Sequence, residues 1–120
     1  MNKVVLVGRV TDAIELKQVG KDNKSTVTTQ LAVGRTYKDQ DGNKETDFPT
    51  LVAWGKNAEV LATMTAKGSL VGIEGELRTR TFEAKDGGKR YVTEVLVDRV
   101  ELLESKAKTE ERAQAAAAKA

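Results

Sequence analysis

Hydrophobic and polar residues alternate along much of this chain with the period of two that is typical of a β-strand. In the segment 70–82, one parity holds Val71, Ile73 and Leu77. The opposite parity holds charged residues and one aromatic residue, namely Glu74, Glu76, Arg78, Arg80 and Phe82. A phenylalanine in line with arginines, opposite the aliphatic face, suits stacking on a flat and negatively charged ligand such as a nucleotide. The alternative is that the strand ends or bulges before Phe82 and the ring turns inward.

The chain begins with a segment that is apolar on both faces of a strand. Residues 4–10 read Val-Val-Leu-Val-Gly-Arg-Val, a composition typical of a strand buried on both sides. One face can pack on the core of its own domain. The other face would meet either a partner subunit or another part of the same domain. We favour the partner subunit, because a small domain has little material with which to cover both faces.

The rest of the chain divides into alternating segments and turn signals. Strands are predicted over residues 25–37, 48–54, 70–82 and 90–102, with turns at 20–24, 38–45 and 85–89. A helix is predicted over residues 58–67, with Asn57 as its N-cap and Gly68 at its end. Its apolar stripe consists of Val60, Leu61 and Met64.

Three strands, one helix and two further strands form the element order of a five-stranded OB-fold barrel. The predicted fold class is therefore all-β, with one short helix between strands 3 and 4. This domain should span residues 1–104. Residues 105–120 contain good helix formers but no large apolar residue, which predicts a flexible or marginally helical tail.

Composition limits the chemistry of any site. The chain has no cysteine and no histidine, which excludes a thiolate zinc site and a Ser–His–Asp triad. Only carboxylates, lysines, hydroxyls and arginines remain for catalysis. We expect no catalytic residue, no metal and no cofactor. The net charge of +2 is carried beyond Glu104, so a barrel that binds nucleic acid must group its basic residues on one face and rely on stacking. The chain lacks a run of about 18 apolar residues and a signal peptide, so we expect a cytoplasmic protein.

Three more aromatic residues are candidates for stacking. Phe48 and Trp54 share a strand face that is opposite to Leu51. Each of these two aromatic residues could instead belong to the core. Simple alternation places Tyr37 on the core side of its strand, so an outward Tyr37 requires a bend near Gly34.

Five blocks of sequence are distinctive when taken together. They read MNKVVLVGR at 1–9, LAVGR at 31–35, WGKNAEV at 54–60, KGSLVGIEGELRTR at 67–80 and YVTEV at 91–95. In this order, over about residues 1–104, they resemble the bacterial and phage single-stranded DNA-binding proteins.

The resemblance implies an OB-fold domain that assembles as a homotetramer and wraps single-stranded DNA with little sequence preference. The family's stacking positions fall on Tyr37, Phe48, Trp54 and Phe82. Its basic positions fall on Lys56, Lys67, Arg78 and Arg80, and Lys38 is a further candidate beside Tyr37. The strand at residues 3–10 matches the strand that pairs subunits. The implied function is to bind and protect single-stranded DNA in replication, recombination and repair.

Three departures from the family pattern affect these expectations. After the first strand, the family commonly has Asp-Pro-Glu where this chain has Asp12-Ala13-Ile14-Glu15, which leaves the geometry of the first hairpin open. The long Gly/Pro/Gln-rich linker is absent. The acidic C-terminal tip that recruits replication and repair enzymes is also absent, so we expect no recruitment of that kind. A phage-encoded protein and a truncated cellular protein both fit these features.

Two other functions are compatible with the sequence. A primosomal-type OB-fold accessory protein would be a dimer that passes DNA between replication proteins, and its mass would distinguish it from a tetramer. A Mg²⁺-dependent nuclease would need a compact group of carboxylates, which is not evident in the sequence. Its candidate residues are Asp12, Glu74, Glu76 and Glu94.

Overall fold

The structure is a computed structural model that describes residues 1–118. Within this range lie two helices, α1 (Lys56–Met64) and α2 (Lys106–Ala118). The same range holds seven strands: β1 (Val4–Val10), β2 (Lys17–Val19), β3 (Lys24–Lys38), β4 (Lys44–Asp47), β5 (Thr50–Trp54), β6 (Leu70–Glu83) and β7 (Lys89–Leu102). The short strands β2 and β4 lie in segments where the sequence predicts no strand. Residues 119 and 120 of the predicted tail lie outside the described residues.

Five of these strands close a barrel. β1 pairs with β3 and β6, β6 with β7, β7 with β5, and β5 with β3. The contact between β5 and β7 is parallel, with Leu51 opposite Val95, whereas the other four contacts are antiparallel. α1 connects β5 to β6, which are the third and fourth strands of the barrel. The predicted five-stranded OB-fold barrel is therefore confirmed.

The helix α1 covers part of the core but differs from its prediction at both ends. It buries Ala58 and Leu61 and leaves Met64 exposed, so Met64 is not part of the buried stripe. Its N-cap is Gly55, and no side chain caps it within the described residues. The predicted cap, Asn57, instead donates its amide to the carbonyl oxygens of Val97 and Asp98, at 3.4 and 3.1 Å. Asn57 therefore fastens the helix to β7.

The end of α1 also differs from the prediction. The helix ends at Met64, and Thr65 is its C-cap in an extended conformation. Gly68 lies beyond the helix, at a φ of 89° that an L residue rarely adopts. It starts the turn into β6, and its N–H donates to the carbonyl of Val10 at 2.7 Å.

β1 is buried on only one of its faces within a single chain. Gly8 and Val10 are buried, but Val5 and Val7 are exposed. The alternative in which the same domain covers both faces is therefore wrong. A cleft of about 170 Å³ lies along the exposed side, between residues 5–7 of β1 and Leu103.

A bulge interrupts the pairing of β6 with β7, and a hairpin projects from the barrel farther along the same two strands. Glu74 lies opposite Arg99 and Gly75 lies opposite Val97, so Asp98 is an extra residue on β7. β7 stays in the barrel beyond the bulge, where Val95 and Leu96 pair with β5, and the two strands project from the barrel only after these positions. Residues 77–83 of β6 are all exposed, so Leu77 does not join Val71 and Ile73, which share its parity, in the core. We call residues 77–94, which form this projecting hairpin, the β6–β7 arm.

The C-terminal helix α2 is attached to the barrel through Glu104. This carboxylate accepts the Leu70 N–H at 2.6 Å and bonds the Arg112 guanidinium of α2 at 3.1 Å. Arg9 of β1 lies 3.4 Å from the same carboxylate. Burial raises the pKa of Glu104, but the hydrogen bonds from Arg112 and Leu70 outweigh it, so the net pKa is lowered.

Candidate nucleic-acid interface

A continuous face crosses four strands on the side of the barrel that carries Trp54. Strand register places Thr26 opposite Trp54 on β3 and β5, and Arg78 opposite Glu94 on β6 and β7. An open groove of about 440 Å³ follows this face. Its lining consists of Val19, Thr26, Thr28, Val52, Trp54, Arg78, Thr79, Arg80, Glu94 and Leu96. The structure thus brings together three of the predicted site residues, Trp54, Arg78 and Arg80.

The position of Trp54 follows from the alternation of β5. Leu51 and Ala53 are buried in the core, so Val52 and Trp54 must project to the opposite side of the strand. This confirms the predicted division of the strand into two faces. Trp54 is exposed on the groove, where its ring is accessible to a ligand.

Both arginines of the groove are paired with carboxylates of the same protein. Arg78 Nη2 lies 3.0 Å from Glu76, and Arg80 Nε lies 3.0 Å from Glu94. Among the described residues, Arg80 gives only its Nε–H to a protein acceptor. A guanidinium has five N–H donors, so the terminal nitrogens of Arg80 can still bond a phosphate.

Glu94 is the most enclosed charge of the groove. Its side chain is 11% exposed, against 59% for the Arg80 side chain that bonds it. Its Oε2 has no hydrogen-bond partner among the described residues. Glu94 therefore holds the Arg80 guanidinium through a single hydrogen bond, to its Oε1.

Phe82 continues this face along the β6–β7 arm. The guanidinium carbon of Arg80 lies 6.0 Å from the centre of the Phe82 ring, which is at the limit of a cation–π contact. Phe82 is exposed, so the alternative in which its ring turns into the core is wrong. On the other face of the arm, Tyr91 lies opposite Thr81 and is 77% exposed.

Tyr37, Lys38 and Phe48 lie on the neighbouring hairpin of β3 and β4. Between the pairs Gly34–Thr46 and Lys38–Lys44, β3 has three residues and β4 has one, so the strand bulges where an outward Tyr37 requires a bend. Tyr37 is 64% exposed and Phe48 is 54% exposed. Phe48 lies in the connection between β4 and β5, which begins at Thr50, so its predicted place within a strand is wrong. None of these three residues lines the groove within the described part of the chain.

The two remaining predicted basic residues lie at the start of α1 and beyond its end. Lys56 is the first residue of the helix, two positions after Trp54. Lys67 is exposed in the segment between α1 and β6. It precedes Gly68, whose N–H donates a hydrogen bond to the carbonyl of Val10 in β1. Lys56 and Lys67 do not line the groove in the described structure.

Sequence reasoning missed several residues of the groove. Thr26 and Thr28 alternate with the buried Ser25 and Val27, and this pattern could have identified them. They also line a second cavity of about 350 Å³ under the segment from Thr11 to Lys17, so the two cavities adjoin. No local signal could have placed Leu96 and Glu94 in the groove, because the parallel contact of β5 with β7 brings them there.

Two further observations concern the alternatives. Within residues 1–118, no group of three Asp or Glu side chains is close enough to hold a metal ion. In the same part of the chain, neither helix has the length and apolar character needed to span a membrane.

Comparison with known proteins identifies the family. The model of the "Single-strand binding protein family" matches residues 1–103. A "Single-stranded DNA-binding protein" of Clostridium tetani is 49% identical over 104 residues, which cover 87% of this chain and 71% of the relative. A "Single-stranded DNA-binding protein 2" of Streptococcus agalactiae is 47% identical over 106 residues, which cover 88% of this chain and 79% of the relative. This chain therefore belongs to the single-strand binding protein family.

Proposed function

We propose that this protein binds single-stranded DNA without strong sequence preference and protects it during replication, recombination and repair. The observation that carries the proposal is the groove in which Trp54 lies with Arg78 and Arg80. The names of its relatives support the same ligand. The family consists of DNA-binding proteins that are not enzymes, so the proposed mechanism is sequestration and no bond is broken.

Stacking and phosphate contacts share the binding energy in this mechanism. Four exposed aromatic rings would stack on bases, namely Tyr37, Phe48, Trp54 and Phe82. Every base has a π face, so this interaction is tolerant of sequence and contributes about 1–3 kcal/mol per base. The phosphates would be bound by Lys38, Lys56, Lys67, Arg78 and Arg80. A strand held in this way cannot pair with its complement or fold on itself.

We further propose that the protein assembles as a homotetramer through β1. Val5 and Val7 form an exposed apolar row on this strand, next to the cleft that reaches Leu103. Burial of exposed apolar area is the main driving force of stable association. Assembly would place several grooves on one particle, so that one strand of DNA can pass over more than one of them.

A titration with poly(dT) tests the proposed function. Trp54 is the only tryptophan of the chain, so its fluorescence reports on the groove directly. We expect strong quenching and tight binding to the single strand, weak binding to a duplex of equal length, and weaker binding at high salt. Absence of binding to the single strand would contradict the proposal.

Matched variants separate stacking from charge. Phe82→Ala should weaken binding about five- to 150-fold at an unchanged salt slope, since one stacked base is lost. Tyr91→Ala is the control, because it removes a more exposed ring from the opposite face of the same arm. Arg80→Gln should lower the salt slope by about 0.7, the value for one phosphate of a single strand. Equal affinities of Phe82→Ala and the wild type would remove stacking on the arm from the mechanism.

A further inference from the structure

Arg35 occupies the point at which the β3–β4 hairpin loses its regular backbone pairing. Residues 35–37 of β3 face a single residue of β4, Glu45, between the last paired positions on each side. A bulge of this kind leaves backbone groups without their ladder partners and allows the strands to bend. Side-chain bonds across the bulge therefore decide how rigid the hairpin is.

The Arg35 guanidinium makes two hydrogen bonds and one ion pair across the bulge. Its Nε and Nη2 bond the two carboxylate oxygens of Asp47 at 3.0 and 2.9 Å, and its Nη1 lies 2.7 Å from Glu45. Forked pairs of this type fix orientation as well as distance. In agreement, the hydrogen bonds from Arg35 lower the pKa of Asp47, and those to Asp47 raise the pKa of Arg35.

Both ends of this network adjoin an aromatic residue. Tyr37 follows Arg35 by two positions, and Phe48 directly follows Asp47. Each ring is more than half exposed, so packing does little to hold it. The direction of each ring therefore depends on the backbone of the hairpin. At the tip, Asp39 closes the turn by accepting the N–H groups of Asp41 and Asn43, both at 2.9 Å.

Arg35 is poorly placed to bind DNA by itself. All three of its nitrogens already bond carboxylates, and the cluster of Arg35, Glu45 and Asp47 holds one positive and two negative charges. A phosphate would therefore meet a net negative group. Arg78 and Arg80 differ, because each is paired with a single carboxylate.

We propose that Arg35 is a positioning residue, which braces the β3–β4 hairpin through Asp47 and Glu45 and so holds Tyr37 and Phe48 ready to stack on bases. This inference rests on the proposed function, since it assigns part of the stacking to these two rings. The brace lowers the cost of binding, because rings that are already oriented lose less freedom when a base docks.

The test compares affinity for a labelled dT oligomer in the wild type and in variants of the brace. Arg35→Gln should weaken binding about tenfold, the ordering cost of two side chains, while the salt slope stays unchanged. Arg35→Lys keeps the charge but cannot form the fork, so it should not restore affinity. Lys108→Gln is the matched control, because it removes one charge from an exposed ion pair on α2.

A double-mutant cycle decides whether Arg35 acts through its carboxylate partners. In the background Glu45→Gln/Asp47→Asn, adding Arg35→Gln should cause no further loss of affinity. If Arg35 contacts a phosphate directly, its substitution should add a further loss of affinity in this background and should lower the salt slope of binding by about 0.7. Either the further loss or the lower salt slope would overturn the inference. An affinity of Arg35→Gln equal to that of the wild type would overturn it as well.

Hydrogen exchange tests the brace without DNA. The amides of residues 35–48 should exchange faster in Arg35→Gln than in the wild type, while those of the barrel core should not change. Unchanged exchange in the hairpin refutes the brace, whatever the DNA result. Failure of the wild type to bind the oligomer, with faster exchange in the variant, would refute the proposed function but keep the brace.

Discussion

A single methyl group at Gly75 should destabilise the barrel, because the β6–β7 bulge leaves no space for it. A Cβ built on Gly75 collides with the carbonyl oxygen of Leu96 and lies 3.0 Å from both the Leu96 carbonyl carbon and Val95 Cγ1. Ordinary contacts of a Cβ are 3.4–4 Å. The obstacle is mainly backbone, and β7 cannot retreat from it, since Leu96 also pairs with Val52 of β5.

The expected magnitude follows from two opposing effects. Overpacking of this kind costs about 1–3 kcal/mol, and the backbone contact places Gly75→Ala towards the upper end. Replacing glycine by alanine also reduces the conformational entropy of the unfolded chain, which stabilises the folded state by about 0.4–1 kcal/mol. The net loss is about 2 kcal/mol, which corresponds to a fall of roughly 8 °C in Tm for a domain of this size.

Thermal unfolding followed by circular dichroism measures this effect, at one protein concentration because assembly adds stability. Gly34→Ala is the control, since a Cβ there has nothing within 4 Å. Its Tm should rise by about 2–4 °C. If Gly75→Ala unfolds within 2 °C of the wild type, or above it, the contact with Leu96 does not limit the strand spacing and the reasoning is refuted.

Two other predictions concern the attachment of α2 and the exposed face of β1. Glu104→Gln should lower Tm at pH 7 by roughly 4 °C, because it weakens the bonds to Arg112 and Leu70. The lowered pKa of Glu104 means that its contribution to stability is complete above the ordinary value of about 4.3 and is lost as the pH falls through the lower folded-state pKa. The Tm values of the two proteins should therefore converge as the pH falls below that ordinary value. A difference in Tm between Glu104→Gln and the wild type that does not change with pH would contradict this account. Val7→Asp should give monomers in light scattering, whereas Val19→Asp, an exposed valine on β2, should keep the mass of the wild type.

Much of the fold could be predicted because the alternation of apolar residues is a local property. Leu51 and Ala53 face inward and Trp54 faces outward, as their spacing requires. The element order was sufficient to predict the barrel. The errors have different places in the fold. Asn57 bonds the distant carbonyls of Val97 and Asp98 and does not cap α1, Phe48 precedes β5, and Leu77 is exposed within β6.

The candidate site was predictable only in part. The position of Arg78, Arg80 and Phe82 on one face follows from their spacing along β6. The presence of Trp54 in the same groove does not follow from spacing along the chain. β5 and β6 are separated by α1 in the sequence, and in the sheet β7 lies between them. The resemblance to the family supplied that grouping, and the structure places Lys67 outside the groove.

The sequence by itself determined the inward and outward faces of β5, the approximate places of the turns, and the absence of Cys and His chemistry. The tertiary structure decided the parallel pairing of β5 with β7, the bulge at Asp98, and the exposure of Leu77. The physical reason is the range of the interactions. A strand's alternation is set by its own backbone geometry, whereas register, bulges and closure depend on hydrogen bonds and packing between segments far apart in the chain.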